Sequence, residues 1–171
     1  MEQLKPFIRN IPDFPKPGIQ FKDITPLVKD PTILKLAIQE LIQPFRDINL
    51  TAVAGMEARG FIFGSLAAVE LDIGFIPLRK PGKLPYDVQS ICYDLEYGSA
   101  ELEIHIDAVS EGDTVLLVDD LIATGGTAAA SCQLIEKLGA KVVGCAFVIE
   151  LDELKGRTKL SDYKIHSLLH Y

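Results

Sequence analysis

Val115-Leu-Leu-Val-Asp-Asp-Leu-Ile-Ala-Thr-Gly-Gly-Thr-Ala128 is the stretch on which the reading of this chain turns. Its first four residues are apolar, the pattern of a strand buried on both faces. Asp119 and Asp120 stand where that strand is expected to end. Residues 123–127 form a loop of small residues, and helical spacing resumes over residues 127–138. Free N–H groups and the positive end of the helix dipole favour a phosphate at such a helix start. Gly125 and Gly126 permit positive φ and keep Cβ atoms out of a ligand's approach. Thr124 and Thr127 add hydroxyl donors. Two adjacent carboxylates above a phosphate loop suit the vicinal hydroxyls of a ribose, and they favour positive charge developing at an anomeric carbon. The stretch therefore predicts a site for a phosphorylated sugar.

Working outward, residues 51–55 and 74–78 predict short strands, with a small-residue helix over residues 57–71 between them. Asp30 and Pro31 supply an N-cap and a first-turn proline. Ile33, Leu34, Ala37, Ile38, Leu41, Ile42 and Phe45 then follow at helical spacing. Leu102, Ile104 and Ile106 alternate with polar residues, a half-buried antiparallel strand. With residues 92–97 before it and Gly98-Ser99 between, this predicts a hairpin beside the main sheet. Residues 142–149 and 163–169 predict two more strands. Strands alternating with helices predict an α/β fold, a Rossmann-like parallel sheet flanked by helices, with ligands at the C-terminal strand ends. Gly55, Arg79, Asp119 and Glu150 fall at such ends and are expected to converge on one crevice. The chain reads as one domain over residues 1–171. Its proline-rich opening is expected to be an ordered loop, extended near residues 19–21, and the weakly patterned residues 84–91 a mobile loop.

Charge sharpens the prediction. The formal net charge is −7, which argues against nucleic acid or an anionic membrane as the main partner. No Lys or Arg occurs between Lys83 and Lys137, while eleven carboxylates do. The central stretch thus brings no cation of its own, so a metal or distant Arg and Lys residues must supply positive charge. Arg59, at a helix start, and the cluster Arg79, Lys80 and Lys83 are the candidates. Residues 55–60 have the glycine spacing of an ATP-hydrolysing phosphate loop, but Phe61 and Ile62 occupy the places of its Lys and Ser/Thr. Cys92, Cys132 and Cys145 lack metal spacing and read as buried free thiols in a reducing cytosol. The three histidines show no ligand pattern. No apolar run is long enough to span a membrane, and no secretory leader is visible.

Over residues 115–128 the chain resembles the type I phosphoribosyltransferases. Phe14-Pro-Lys-Pro-Gly-Ile-Gln-Phe-Lys-Asp-Ile-Thr-Pro26, Glu57-Ala-Arg-Gly-Phe61, Arg79-Lys-Pro-Gly-Lys-Leu-Pro85 and Tyr93-Asp-Leu-Glu-Tyr-Gly98 are similar to the adenine-specific branch. The resemblance implies a purine salvage enzyme, a Mg²⁺-dependent pentosyl transferase that moves the 5-phosphoribosyl group of phosphoribosyl pyrophosphate to adenine. It implies a base-binding hood over residues 1–30 and a flexible loop and ribbon over residues 79–107. It also implies a cytoplasmic homodimer. Asp119 and Asp120 would grip ribose, and Ala123, Thr124, Gly125, Gly126 and Thr127 the 5′-phosphate. Arg59, Arg79, Lys80 and Lys83 would take pyrophosphate, and Gln20, Phe21, Lys22 and Leu151 adenine. Glu96 would handle the purine proton, and Mg²⁺ would be held mainly by substrate and water. Lys22 stands where relatives usually carry arginine, so only its main-chain role is carried over. Met56 and Gln20 depart mildly from the usual aliphatic residues. Transferases for hypoxanthine, xanthine or guanine share the central stretch but usually lack the hood and ribbon motifs. A regulator on the same fold would need a basic DNA-binding domain.

Overall fold

The structure, a computed structural model, describes residues 1–94 and 98–171. The opening is more regular than its prolines predict. A 3-10 turn over Glu2–Phe7 leads to β1 (Arg9–Pro12), which pairs antiparallel with β2 (Gln20–Asp23) before the short α1 (Thr25–Lys29). Pro12 is tolerated because it ends an edge strand, where its missing N–H breaks no ladder. At α2 (Pro31–Ile42) the expected cap is present: Asp30 Oδ1 accepts from the N–H groups of Thr32 at 2.9 Å and Ile33 at 3.0 Å. The helix buries Ala37, Ile38, Leu41 and Ile42.

There follow β3 (Ala52–Met56), α3 (Gly60–Leu71), β4 (Gly74–Leu78), β5 (Val88–Asp94) and β6 (Ser99–His105). The chain closes with β7 (Thr114–Ile122), α4 (Gly126–Lys137), β8 (Lys141–Glu150) and β9 (Lys164–His170). Five strands form a parallel sheet in the order β4-β3-β7-β8-β9. One face packs a cluster with Phe45, Phe63, Leu41 and Leu116 against α1, α2 and α3. The other packs Phe147 and Leu117 of the sheet against Leu134 and Ile135 of α4 and Leu102 and Ile104 of the β5–β6 ribbon. Between β3 and β7 the strand order reverses direction, the place where sheets of this kind open a crevice at their C-terminal edge.

Three expected boundaries shift. α3 begins at Gly60 rather than residue 57, because the Glu57 N–H still donates to the Leu78 carbonyl and keeps the chain in the sheet. β5 begins at Val88, inside the segment read as a loop, because its register comes from β6, where Val88 faces His105 and Ile91 faces Leu102. Its own pattern is weak because a ribbon with one open face needs few apolar residues. Third, β7 does not stop before the acidic pair. Its pairing with β3 ends at Val118, but its pairing with the ten-residue β8 continues through Asp119 and Leu121 to Ile122. Asp119 and Asp120 therefore sit on a strand that is held on one side and has lost its neighbour on the other.

Candidate functional site

That one-sided ending opens a cavity of about 560 Å³ above β7. Asp119, Asp120 and residues 121–128 form one wall, Met56 to Arg59 another, with Lys80, Pro81, Tyr93 and the β6 residues Ala100 to Leu102 closing the rest. The expected phosphoribose residues Asp119, Asp120, Ala123, Thr124, Gly125, Gly126 and Thr127 all line it.

The two acids have different surroundings. Asp120 is 4 % exposed, and its Oδ2 forms an ion pair with Arg59 Nε at 2.9 Å without the angle of a hydrogen bond, so this buried oxygen accepts no hydrogen bond among the described residues. Asp119 Oδ1 accepts from the Asp120 N–H at 2.8 Å. Burial pushes the carboxyl of Asp119 well above its ordinary range, and the neighbouring Asp120 charge pushes it the same way. Burial also raises Asp120, opposed by the Arg59 charge. Gly60, the first residue of α3, makes room for this arrangement, since a Cβ there would stand 2.6 Å from Asp119 Oδ1.

At the loop, Gly125 has φ +75°, as the motif predicts, and caps α4. Gly126 is instead the first helical residue and is not in the left-handed region. Gly125 has a further reason to lack a side chain. An added Cβ would collide with the Gly156 carbonyl and stand 3.1 Å from Gly156 Cα, so it meets protein backbone. The Thr127 hydroxyl is within 3.2 Å of the Tyr93 hydroxyl, which ties the ribbon to the loop.

The expected cations divide. Arg59 stands at the N-cap position of α3 and lines the crevice, with its guanidinium 5.3 Å from the Phe21 ring centroid. Lys80 also lines the cavity. Arg79 and Lys83 do not. Arg79 Nε donates to Glu57 Oε2 at 3.0 Å and its Nη1 to the Lys83 carbonyl at 2.9 Å, which folds the basic turn onto itself. The Lys80 N–H donates to the same Glu57 oxygen at 3.2 Å.

Among the expected base contacts, Gln20, Phe21, Lys22 and Leu151 stand outside the cavity lining. Phe21 still abuts it through Arg59, and Leu151 through its N–H, which donates to the Ile122 carbonyl at 3.0 Å. Phe14 packs edge-on to Phe21 at 5.1 Å, and the Lys22 ammonium donates to Asn10 Oδ1 at 2.6 Å. Glu96 lies outside the described residues. Gly55 and Glu150 do not reach the crevice as expected. Gly55 is closed over by Phe75, and Glu150 is 3 % exposed, accepting from Arg157 Nε at 2.6 Å and Nη2 at 2.7 Å and from Ser167 Oγ at 2.6 Å. Cys92 is exposed, contrary to the buried reading, while the buried Cys132 and Cys145 place their sulfurs 3.6 Å apart.

Glu150, Asp152 and His170 bring three potential metal-ligand atoms within 4.8 Å of one another, but Arg157 and Ser167 already occupy the Glu150 oxygens. In the crevice the donors are carboxylate and hydroxyl oxygens. Such a set fits Mg²⁺, which is commonly held by one or two carboxylates together with substrate phosphates and water. Sequence reasoning missed Gly60, Tyr93 and Glu57 as parts of the site. Gly60 and Tyr93 carry no side chain whose type alone signals a ligand, and Glu57 acts on the site through Arg79 and Lys80, far from it in sequence.

The chain is similar to known proteins over its whole length. A model of the phosphoribosyl transferase domain matches residues 27–169. The adenine phosphoribosyltransferase of Methylococcus capsulatus is 70 % identical over 171 residues, covering all of both chains. The crystal structure of the enzyme of that name from Rhodothermus marinus superposes with a TM-score of 0.95 at 53 % identity, covering 99 % of this chain and 97 % of that one. The Saccharomyces cerevisiae adenine phosphoribosyltransferase, complexed with adenine and an imino-altritol bisphosphate, gives 0.92 at 40 % identity over 98 % and 97 %. No helix among the described residues is long and apolar enough to cross a membrane.

Proposed function

The chain belongs to the adenine phosphoribosyltransferases, and from that premise we propose how its crevice divides the labour of making AMP. The enzyme transfers the 5-phosphoribosyl group of phosphoribosyl pyrophosphate to adenine in purine salvage. The bond from the anomeric carbon to pyrophosphate breaks, and the leaving group takes the electron pair. The bond to the purine nitrogen forms, and that nitrogen gives up its proton.

The observation that carries the site assignment is the buried Asp120 Oδ2 beside Asp119 at the end of β7, ion-paired with Arg59 but accepting no hydrogen bond among the described residues. A ribose hydroxyl donating to that oxygen would remove the cost of leaving a buried acceptor without a hydrogen bond. With that hydrogen bond in place, both carboxylates face the carbon on which positive charge develops. The α4 N-terminus, Thr124 and Thr127 hold the 5′-phosphate through N–H and hydroxyl donors. Phosphate arriving at Thr127 competes with the Tyr93 hydroxyl. Arg59 and Lys80 meet the pyrophosphate. Arg79, which pairs with Glu57 and donates to the Lys83 carbonyl within one chain, completes the pyrophosphate site together with Lys83 as a homodimer forms. Phe21 and Leu151 flank the adenine, Gln20 and Lys22 offer backbone groups to its edge, and Glu96 receives its proton. Bound Mg²⁺ would neutralise charge on the departing pyrophosphate. Residues 1–30 then act as the hood and residues 79–107 as the moving ribbon of a single domain.

The test is to incubate the protein with Mg²⁺, phosphoribosyl pyrophosphate and each free base in turn, measuring pyrophosphate release. Release with adenine alone is expected. Release with hypoxanthine or guanine but not adenine would contradict the base assignment and keep the fold.

A further inference from the structure

The segment that follows β8 lies against the phosphate loop at a place no side chain occupies. Gly156 is buried, and a Cβ built on it would collide with the Ala123 carbonyl, stand 2.9 Å from Ile122 Cγ1 and stand 3.0 Å from the Gly125 nitrogen. The contact is mutual, because the Cβ absent from Gly125 would strike the Gly156 backbone. Two backbones thus touch where the loop must keep its shape, which only paired glycines permit.

What presses Gly156 there is an ion pair. Arg157, the next residue, makes two parallel bonds of 2.6 and 2.7 Å to Glu150, whose carboxylate is buried at the end of β8 and backed by Ser167 of β9. This is the bidentate geometry in which arginine fixes position as well as charge. The segment is also pinned at its start, where the Leu151 N–H donates to the Ile122 carbonyl and the Asp152 N–H to the Tyr171 carbonyl.

We propose that Gly156 and the Glu150–Arg157 pair are positioning residues for the 5′-phosphate, holding residues 123–127 in their phosphate-binding shape from behind. This rests on the reading of those residues as the phosphate loop. None of the three lines the cavity. Glu150, expected in the crevice from its strand-end position, acts instead through the strap it anchors. Because Leu151 opens the same strap, the wall assigned to adenine and the floor of the phosphate loop belong to one covalent segment.

The test compares ligands that differ only in the phosphate. Wild-type protein, Gly156→Ala, Arg157→Ala and Arg157→Lys are titrated calorimetrically with AMP and with adenosine, and their melting temperatures are recorded. Gly156→Ala is expected to weaken AMP at least about tenfold while adenosine stays within about twofold. Arg157→Ala should show the same phosphate-selective loss, and Arg157→Lys should recover part of it. Equal losses for AMP and adenosine, or unchanged AMP affinity in a folded variant, would overturn the proposal. If Gly156→Ala does not fold, the two Arg157 variants decide on the same criterion. Failure of the underlying reading looks different, since wild-type protein would then bind AMP no more tightly than adenosine.

Discussion

The strand–loop–helix from Thr114 to Lys137 and the basic turn around Arg79 both stand at C-terminal strand ends, yet they are built on opposite plans. The first carries no positive side chain until Lys137 and works through backbone direction: a strand held on one side, a glycine at φ +75° and a helix start. The second is dense in charge, but Arg79 spends its guanidinium on Glu57 and on the Lys83 carbonyl. Backbone-made sites are fixed by folding, whereas side-chain charge can be diverted by whatever acid lies nearest. The difference predicts that loss of the acidic pair in the first region abolishes chemistry, while loss of its loop glycine or of a cation outside it changes affinity.

The largest effect is expected from Asp119→Asn combined with Asp120→Asn. Turnover should fall by about a thousandfold or more, the scale of losing a preorganised electrostatic group, with the fold intact. Steady-state kinetics beside circular dichroism checks this, and near-normal turnover would erase the distinction between the regions. Next is Gly125→Ala. Its Cβ meets Gly156 backbone at positive φ, so a stability loss of about 1–3 kcal/mol should accompany weaker binding of phosphoribosyl pyrophosphate. Chemical denaturation separates that outcome from a purely ligand-side clash, which would leave stability unchanged.

Arg59→Ala should weaken pyrophosphate by about 2 kcal/mol, one charge-assisted hydrogen bond, and titration with pyrophosphate measures it. A loss confined to adenine would move Arg59 to the base subsite. The smallest effect concerns the charge of the acidic pair. Asp119 and Asp120 are raised above their ordinary 3.8 by burial, so the folded chain takes up their protons more readily than the unfolded one. Stability withheld by the pair at neutral pH is therefore regained as pH falls through the raised values toward 3.8. The double Asn variant should match or exceed wild-type stability at pH 7, and its advantage should shrink across that window. Melting curves at stepped pH test the sign.

Legibility in the sequence followed the same divide. The individual strands, the Asp30 cap, the loop and the acidic pair are readable because each is contiguous, so its residues constrain one another locally. The end of β7 was misplaced because it depends on β8 outlasting β3, a fact about partners and not about Asp119 itself. Likewise the fate of Arg79 depends on Glu57, 22 positions away. Gly156 carried no signal at all, because its importance is a missing atom facing a segment folded back onto it.

The central claim is that sugar phosphate and pyrophosphate are bound by physically separate devices, and a crossed titration tests it most directly. Ribose 5-phosphate and pyrophosphate are each titrated into wild type, Gly125→Ala and Arg59→Ala. Gly125→Ala should lose ribose 5-phosphate and keep pyrophosphate, while Arg59→Ala should do the reverse. Equal loss of both ligands in both variants would contradict the account.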